Sequence, residues 1–212
     1  LWGCKKQIKA PIYSLSNGVD TEFFKQEGKK TGAFRKKYHI DGNQKVIMSV
    51  GHYIDRKGIL DFVQLAKELP QYQFYWFGYT NLKLVTKEVR DAIHTQLSNL
   101  HFPGYITRTE LRDVYNGSDL FLFMTKEETE GIVLLEALAT KTPILVRNIP
   151  IYRDWLIDNE TVYKAKHLQE FKEKIIQLLE GSLPDLTDAA YQIALERDLR
   201  KIGQNLLDIY QQ

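Results

Sequence analysis

Cysteine is nearly absent from this chain: Cys4 stands alone among 212 residues. That excludes an internal disulfide and fits a reducing compartment. No apolar run approaches the about 18 residues a membrane-crossing helix requires. The five histidines are scattered without metal-ligand spacing, and no Asp-x-Asp pair offers a seat for a divalent ion. GxSxG, GxGxxG and GxxxxGK[ST] are missing, which removes the nucleophile elbow, the dinucleotide fingerprint and the P-loop. The chain opens on Leu1 with neither an initiator Met nor a charged-then-apolar leader, so no signal peptide is expected in what reads as a fragment.

The charge that is present is unevenly spread. The net value is +2, yet residues 1–58 hold twelve Lys or Arg against five acids. Such an excess suits phosphate or an anionic membrane surface, while a solvated basic face is the commoner reason for one.

Hydrophobic content of 43% supports one sizeable core, and its pattern alternates. Strand-length runs occur at VIMSV (46–50), YQFYWFG (72–78), LHFPG (100–104), DLFLFM (119–124) and PILVR (143–147), with a short TVYKA (161–165) after them. Between them the helical period appears at 59–69, 83–97, 107–117, 132–139 and 151–157, then around 167–180 and 188–210. This order predicts an α/β fold, a Rossmann-like, mostly parallel sheet with helices on both faces. The strand period of YQFYWFGY favours core packing over a base-stacking platform, so no nucleic-acid partner is expected.

In an open parallel sheet, ligands sit beyond the carboxyl ends of the strands, which directs attention to three turns: 51–58, 78–81 and 125–131. In GHYIDRKG, Gly51 is expected to turn the backbone, with Arg56 and Lys57 placing two cations at the sheet mouth; a plain turn leading into a helix is the simpler reading. In KEETEGIVLLEALA (126–139), a helix starting near Gly131 leaves the N–H groups of Gly131, Ile132 and Val133 free for anionic oxygens. Glu128 and Glu130 flank that position with like charge. Tuning of the helix dipole and capping by Thr129 are the bland explanations, and a carboxylate accepting sugar hydroxyls is the functional one. Glu136, among leucines and alanines, points either to solvent or to something polar.

The stretch E128-T-E-G-I-V-L-L-E136 resembles the E-x7-E signature of retaining GT-B glycosyltransferases of family 4. SNGVDTEFF (16–24), SVGHYIDRKGI (49–59), HFPGYI (101–106) and VYNGSDLFLF (114–123) are similar to further motifs of that family and follow in the same order. The resemblance implies the C-terminal, donor-binding half of a GT-B fold. Residues 1–18 would be a linker, 19–187 a nucleotide-sugar-binding domain and 188–212 a return helix with an apolar stripe at Ile193, Leu199, Ile202 and Leu206.

It also implies roles. Glu128 would face the donor sugar, Glu136 would hold the ribose hydroxyls, and Lys57 would neutralise the diphosphate beside Gly131, Ile132 and Val133. Glu128 and Lys57 are thus the catalytic candidates. The backbone around Tyr105 and Ile106 would read the base, and Gly51, His52 and Arg56 would line the phosphate turn. His52 stands where the family carries arginine, and Thr129-Glu130-Gly131 where it carries Gly-Phe-Gly. No cofactor and no metal are implied.

The motif variants look most like bacterial glycolipid glucosyltransferases. Those imply a UDP-sugar donor, a membrane lipid acceptor held by an N-terminal domain missing from this chain, and a cytoplasmic protein peripheral at the inner face of the membrane. The chain alone is expected to be inactive. UDP-sugar epimerases, glycan phosphorylases and non-catalytic binding domains share the fold and remain alternatives.

Overall fold

The structure, a computed structural model, describes residues 11–27 and 32–211. Cys4 and the lysines at 5, 6, 9, 29 and 30, which make up much of the basic excess, lie outside these residues. The elements are α1 (Ala33–Lys37), β1 (Val46–Val50), α2 (Ile59–Glu68), β2 (Gln73–Phe77), α3 (Lys87–Ile93), β3 (Leu100–Gly104) and α4 (Arg108–Gly117). They continue as β4 (Leu120–Phe123), α5 (Ile132–Ala139), β5 (Ile144–Arg147), β6 (Tyr163–Ala165), α6 (Leu168–Leu179), α7 (Thr187–Glu196) and α8 (Leu199–Tyr210).

The six strands form one sheet in the order β3-β2-β1-β4-β5-β6, and every pairing is parallel. Strand alternation divides the core in two. Val46, Met48, Phe121, Phe123, Ile144 and Val146 face one layer of helices, while Ile47, Leu120, Leu122 and Leu145 face the other. The central strands are apolar on both faces because both are covered. A fully buried phenylalanine such as Phe121 or Phe123 contributes about 1.5–3 kcal/mol by leaving water. The aromatic run 72–77 belongs to this core, and Trp76 is fully buried, its Nε1–H donating to the Gly51 carbonyl at 2.9 Å.

Strand order reverses between β1 and β4, so the crevice at their carboxyl ends is the topological switch point. The turns at 51–58 and 125–131 line that crevice.

Several sequence expectations are corrected. Helix α3 begins at Lys87 rather than 83, because the Thr86 side chain accepts from the Val89 N–H and caps it. Residues 151–157 do not form an α-helix. A short 3-10 turn spans Pro150–Tyr152, and the Thr161 hydroxyl takes the Ile157 N–H at 2.8 Å, ending the turn that follows. The buried Tyr152 and Leu156, four apart, account for the helical period there.

The helix expected over 188–210 is two helices, broken at Arg197 and Asp198. Val19 forms a parallel bridge there, its N–H donating to the Arg197 carbonyl and its own carbonyl accepting from Leu199. Asp198 caps α8 through the Arg200 N–H and also accepts from Thr21 Oγ1. Of the expected apolar stripe, Ile193 is buried in the core, Ile202 is half-buried, and Leu199 and Leu206 are exposed; Leu207 and Tyr210, outside that stripe, are exposed too. Arg35, counted with the basic face, is buried and bonded to Asp119 at 2.7 Å.

Candidate functional site at the switch-point crevice

The turns after β1 and β4 are tied together through backbone carbonyls. Lys126 N–H donates to the Arg56 carbonyl at 2.8 Å, Arg56 Nη1 to the Glu127 carbonyl at 2.8 Å, and Thr125 Oγ1 to that same carbonyl at 2.8 Å. Gly58 permits the close approach: its φ is +85°, and a Cβ there would lie 2.4 Å from the Met124 carbonyl oxygen. Gly51, expected to be the turning glycine, has no positive φ, and a Cβ on it would meet Lys57 Cγ at 3.4 Å and Trp76 Cζ2 at 3.5 Å, both ordinary contacts.

Within this frame Lys57 and Glu128 meet. Lys57 Nζ donates to Glu128 Oε1 at 2.5 Å and to Oε2 at 3.1 Å, with the side chains 14% and 10% exposed. Arg56 Nη1 stands 3.8 Å from Oε2. Lys57 also lies over the Phe123 ring at 5.8 Å. Two cations here face one carboxylate, so the crevice keeps positive charge that a further anion can neutralise.

Helix α5 starts beside the pair. Its N-cap is Gly131 at φ +89°, and the first intrahelical acceptor, the Gly131 carbonyl, receives the Leu134 and Leu135 N–H groups. The N–H groups of Ile132 and Val133 therefore have no partner within the helix, and the positive dipole end faces the crevice. Thr129 does not cap this helix, which has no side-chain cap at all.

Glu136, one turn into α5, is half-buried and points to neither bulk solvent nor the apolar core. Tyr115 Oη approaches Glu136 Oε2 at 3.1 Å and the Val133 carbonyl at 2.8 Å. Burial pushes the Glu136 carboxyl up to about 7, against the Tyr115 hydrogen bond and the charge of Arg108. Tyr115 is itself buried and raised well above its ordinary range by desolvation and by Glu136.

His52 Nδ1 lies 3.0 Å from the Tyr79 carbonyl; a carbonyl only accepts, so Nδ1 carries the proton there. His52 thus holds the turn after β1 to the turn after β2, as Tyr53 N–H does through Thr80 Oγ1 at 2.9 Å. Tyr105 and Ile106 follow β3, three strands from β4 along the same sheet edge; Tyr105 is exposed and Ile106 packs partly on the core. The structure brings Lys57, Arg56, Glu128 and the α5 N-terminus together. Glu136 follows one turn along, and Tyr105 stands further off.

Sequence reasoning missed how Glu130 is used. Its carboxylate accepts from Ser16 Oγ, from the Asn17 backbone N–H at 2.7 Å and from Asn17 Nδ2 at 2.7 Å, and lies 4.0 Å from Arg197 Nε. It also missed Tyr152, whose hydroxyl is buried against Gly131. No spacing in the chain announces either contact, since both join segments remote in sequence. Among the described residues no group of three or more His, Cys, Asp or Glu could hold a metal ion, and no helix is long and apolar enough to cross a membrane.

Comparison with known proteins extends this geometry. The family described as glycosyl transferases group 1 matches residues 30–197. A processive diacylglycerol alpha-glucosyltransferase of Acholeplasma laidlawii is 37% identical over 205 residues, 97% of this chain and 62% of the relative. An alpha-galactosylglucosyldiacylglycerol synthase of Streptococcus pneumoniae is 31% identical over 177 residues, 81% of this chain and 47% of the relative. The chain thus spans about half to three-fifths of the length of these curated relatives. Among solved structures, Anabaena Alr3699/HepE in complex with UDP-glucose superimposes with a TM-score of 0.81 at 18% identity, over 93% of this chain and 56% of that one. The C-terminal domain of the Francisella tularensis group 1 glycosyl transferase LpcC gives a TM-score of 0.66 at 18% identity, over 86% of this chain and 100% of that one. The all-parallel sheet is a GT-B half, and the chain belongs to the glycosyl transferases group 1 family.

Proposed function

We propose that this chain is the donor-binding domain of a retaining hexosyltransferase that moves a sugar such as glucose from UDP to a membrane lipid acceptor. The observation that carries the reading is the Lys57–Glu128 pair set beside the open N-terminus of α5, within the crevice where strand order reverses. The diphosphate sits at the N–H groups of Gly131, Ile132 and Val133, with Lys57 and Arg56 as its counter-charges. Glu128 then turns to the sugar hydroxyls, and Glu136 accepts from the ribose hydroxyls. Gly51 and His52 shape the phosphate turn, and the backbone at Tyr105 and Ile106 meets the base.

Catalysis on this reading is electrostatic. Cations and a helix dipole stabilise the departing nucleoside diphosphate while an oxocarbenium-like sugar is attacked from the same face, and no metal is needed. Two of the curated relatives are a diacylglycerol glucosyltransferase and an alpha-galactosylglucosyldiacylglycerol synthase, which supports a lipid acceptor and, with it, a protein that works at a membrane surface, on this reading its cytoplasmic face. Their greater length supports a second half that supplies the acceptor pocket, with residues 19–187 as the donor domain and 188–212 returning toward that half.

Titration of UDP-glucose and UDP against the wild-type chain and Glu136→Ala tests the reading. Binding by the wild type, weakened in the variant, is expected, with no sugar transfer by the 212-residue chain. Absence of binding at millimolar ligand, with no protection against heat by UDP, overturns it.

A further inference from the structure

We propose that Tyr152 is a positioning residue for Glu128, its hydroxyl donating to the carboxylate when a nucleotide-sugar diphosphate engages Lys57. This rests on the donor-site reading above. Tyr152 is fully buried, and its hydroxyl has no hydrogen-bond partner among the described residues. A buried hydroxyl left unpaired is destabilising, and phenylalanine would supply the same ring without it.

The hydroxyl has a definite place. It lies 3.5 Å from the point where a Cβ on Gly131 would stand, and Glu128 Cγ lies 3.5 Å from the same point. Tyrosine hydroxyl and glutamate stem thus both border the bare face of Gly131, near enough that, after burial, the Glu128 charge is what raises the hydroxyl's pKa further. The backbone of Tyr152 is held by its N–H to the Ile149 carbonyl at 3.1 Å and by Lys164 Nζ on its own carbonyl at 3.1 Å; its ring meets Trp155 edge-on. The hydroxyl is thus fixed from behind.

The ligand-free pairing explains why it is unused. Lys57 spends two of its three N–H donors on Glu128. A diphosphate at the α5 N-terminus takes at least one of them, which strips a donor from a carboxylate that is only 10% exposed. Arg56 is a poor replacement, since its Nη1 is already given to the Glu127 carbonyl and stands 3.8 Å from Oε2. Tyr152 supplies the missing donor from beside Gly131. It holds one Glu128 oxygen and leaves the other aimed at the sugar.

The test compares wild type and Tyr152→Phe by calorimetric titration with UDP-glucose and with UDP, together with melting of the ligand-free proteins. Expected is a variant that melts no lower than wild type and binds UDP about two- to threefold more weakly, since UDP also draws on Lys57 but brings no sugar for Glu128 to hold. UDP-glucose affinity falls about five- to tenfold, the scale for net loss of one hydrogen bond. In the Tyr152→Phe background, adding Glu128→Gln should cost less UDP-glucose affinity than it does in wild type. Equal affinities for UDP-glucose, an equal loss for both ligands, or a lower melting temperature would each overturn the proposal. A wild type that binds neither ligand fails the donor-site reading itself, and the inference with it; a wild type that binds both beside an unaltered variant fails the inference alone.

Discussion

Glu130 grips Asn17 from 113 positions away, accepting at 2.7 Å from both its backbone N–H and its side-chain amide. The other carboxylate oxygen receives Ser16 Oγ, and Arg197 stands 4.0 Å off. One side chain in the turn after β4 therefore joins the segment that enters the domain to the end of α7. An acid placed before a helix N-terminus repels the anion expected there, unless its charge is already committed elsewhere. Here three donors and an arginine commit it.

Replacing Glu130 with alanine should release residues 16 and 17 without unfolding the core. The expected stability loss is about 1–2 kcal/mol, the scale for removing hydrogen bonds to a charged acceptor at a partly exposed site. Hydrogen exchange at the Asn17 amide reports it directly, with protection lost in the variant. An Asn17 amide as protected in Glu130→Ala as in wild type would show that the bond does not persist in solution.

The Lys57–Glu128 pair should display strong coupling in a double-mutant cycle. Lys57→Ala leaves a carboxylate that is 10% exposed with Arg56 at 3.8 Å and the Tyr152 hydroxyl to turn to, and is expected to cost about 1–3 kcal/mol in chemical denaturation. Adding Glu128→Gln should restore at least half of the loss, since the stranded charge is then gone. Additive costs for the two changes would mean that the ammonium and carboxylate contribute separately.

Much of the fold was legible because it is written in local periods. DLFLFM and PILVR read as central strands, since residues covered on both faces must be apolar throughout, and β4 and β5 lie in the middle of the sheet. The residues at 151–157 misled for the same reason: Tyr152 and Leu156 bury at helical spacing, while Pro150 and the Thr161 hydroxyl dictate a turn. The break at Arg197 and Asp198 was invisible because its cause, the Val19 bridge, comes from the other end of the chain. In the candidate site the positions of Lys57, Glu128 and Gly131 followed from turns at strand ends. Glu130 and Tyr152 did not, because contact across 113 residues and a hydroxyl without a partner leave no mark on spacing.

Gly58 should tolerate no side chain. At φ +85° any L residue is strained, and its Cβ would overlap the Met124 carbonyl oxygen at 2.4 Å, so the turns after β1 and β4 would have to part. Gly58→Ala is expected to destabilise by more than about 2 kcal/mol and to weaken UDP binding in parallel, since Lys57 precedes it directly. Gly51→Ala, where the added methyl meets only ordinary contacts, is the control and should cost much less. Equal losses at the two positions would argue against the close approach at Gly58.

Glu136 should make both stability and nucleotide binding depend on pH. Burial raises its carboxyl to about 7, above the 4.5 it has when exposed, so the folded state holds a proton that the unfolded chain has already released. Its contribution is therefore fully present below about pH 4.5 and is lost as pH rises toward 7, by roughly 1–3 kcal/mol once the partial exposure of the site is discounted. Glu136→Gln keeps the shape and removes the titration: the variant should melt close to wild type at about pH 5 and above it at about pH 8. Binding should move the other way. An ionised carboxylate accepts ribose hydroxyls better than a protonated one, so wild-type affinity for UDP-glucose, whose diphosphate is esterified at both ends and does not titrate here, should rise between about pH 6 and pH 8, while that of Glu136→Gln stays low and flat. Titration calorimetry across that range separates the two effects. A wild-type affinity that does not change with pH, or a variant that rises in step with it, would place the ribose contact somewhere other than Glu136.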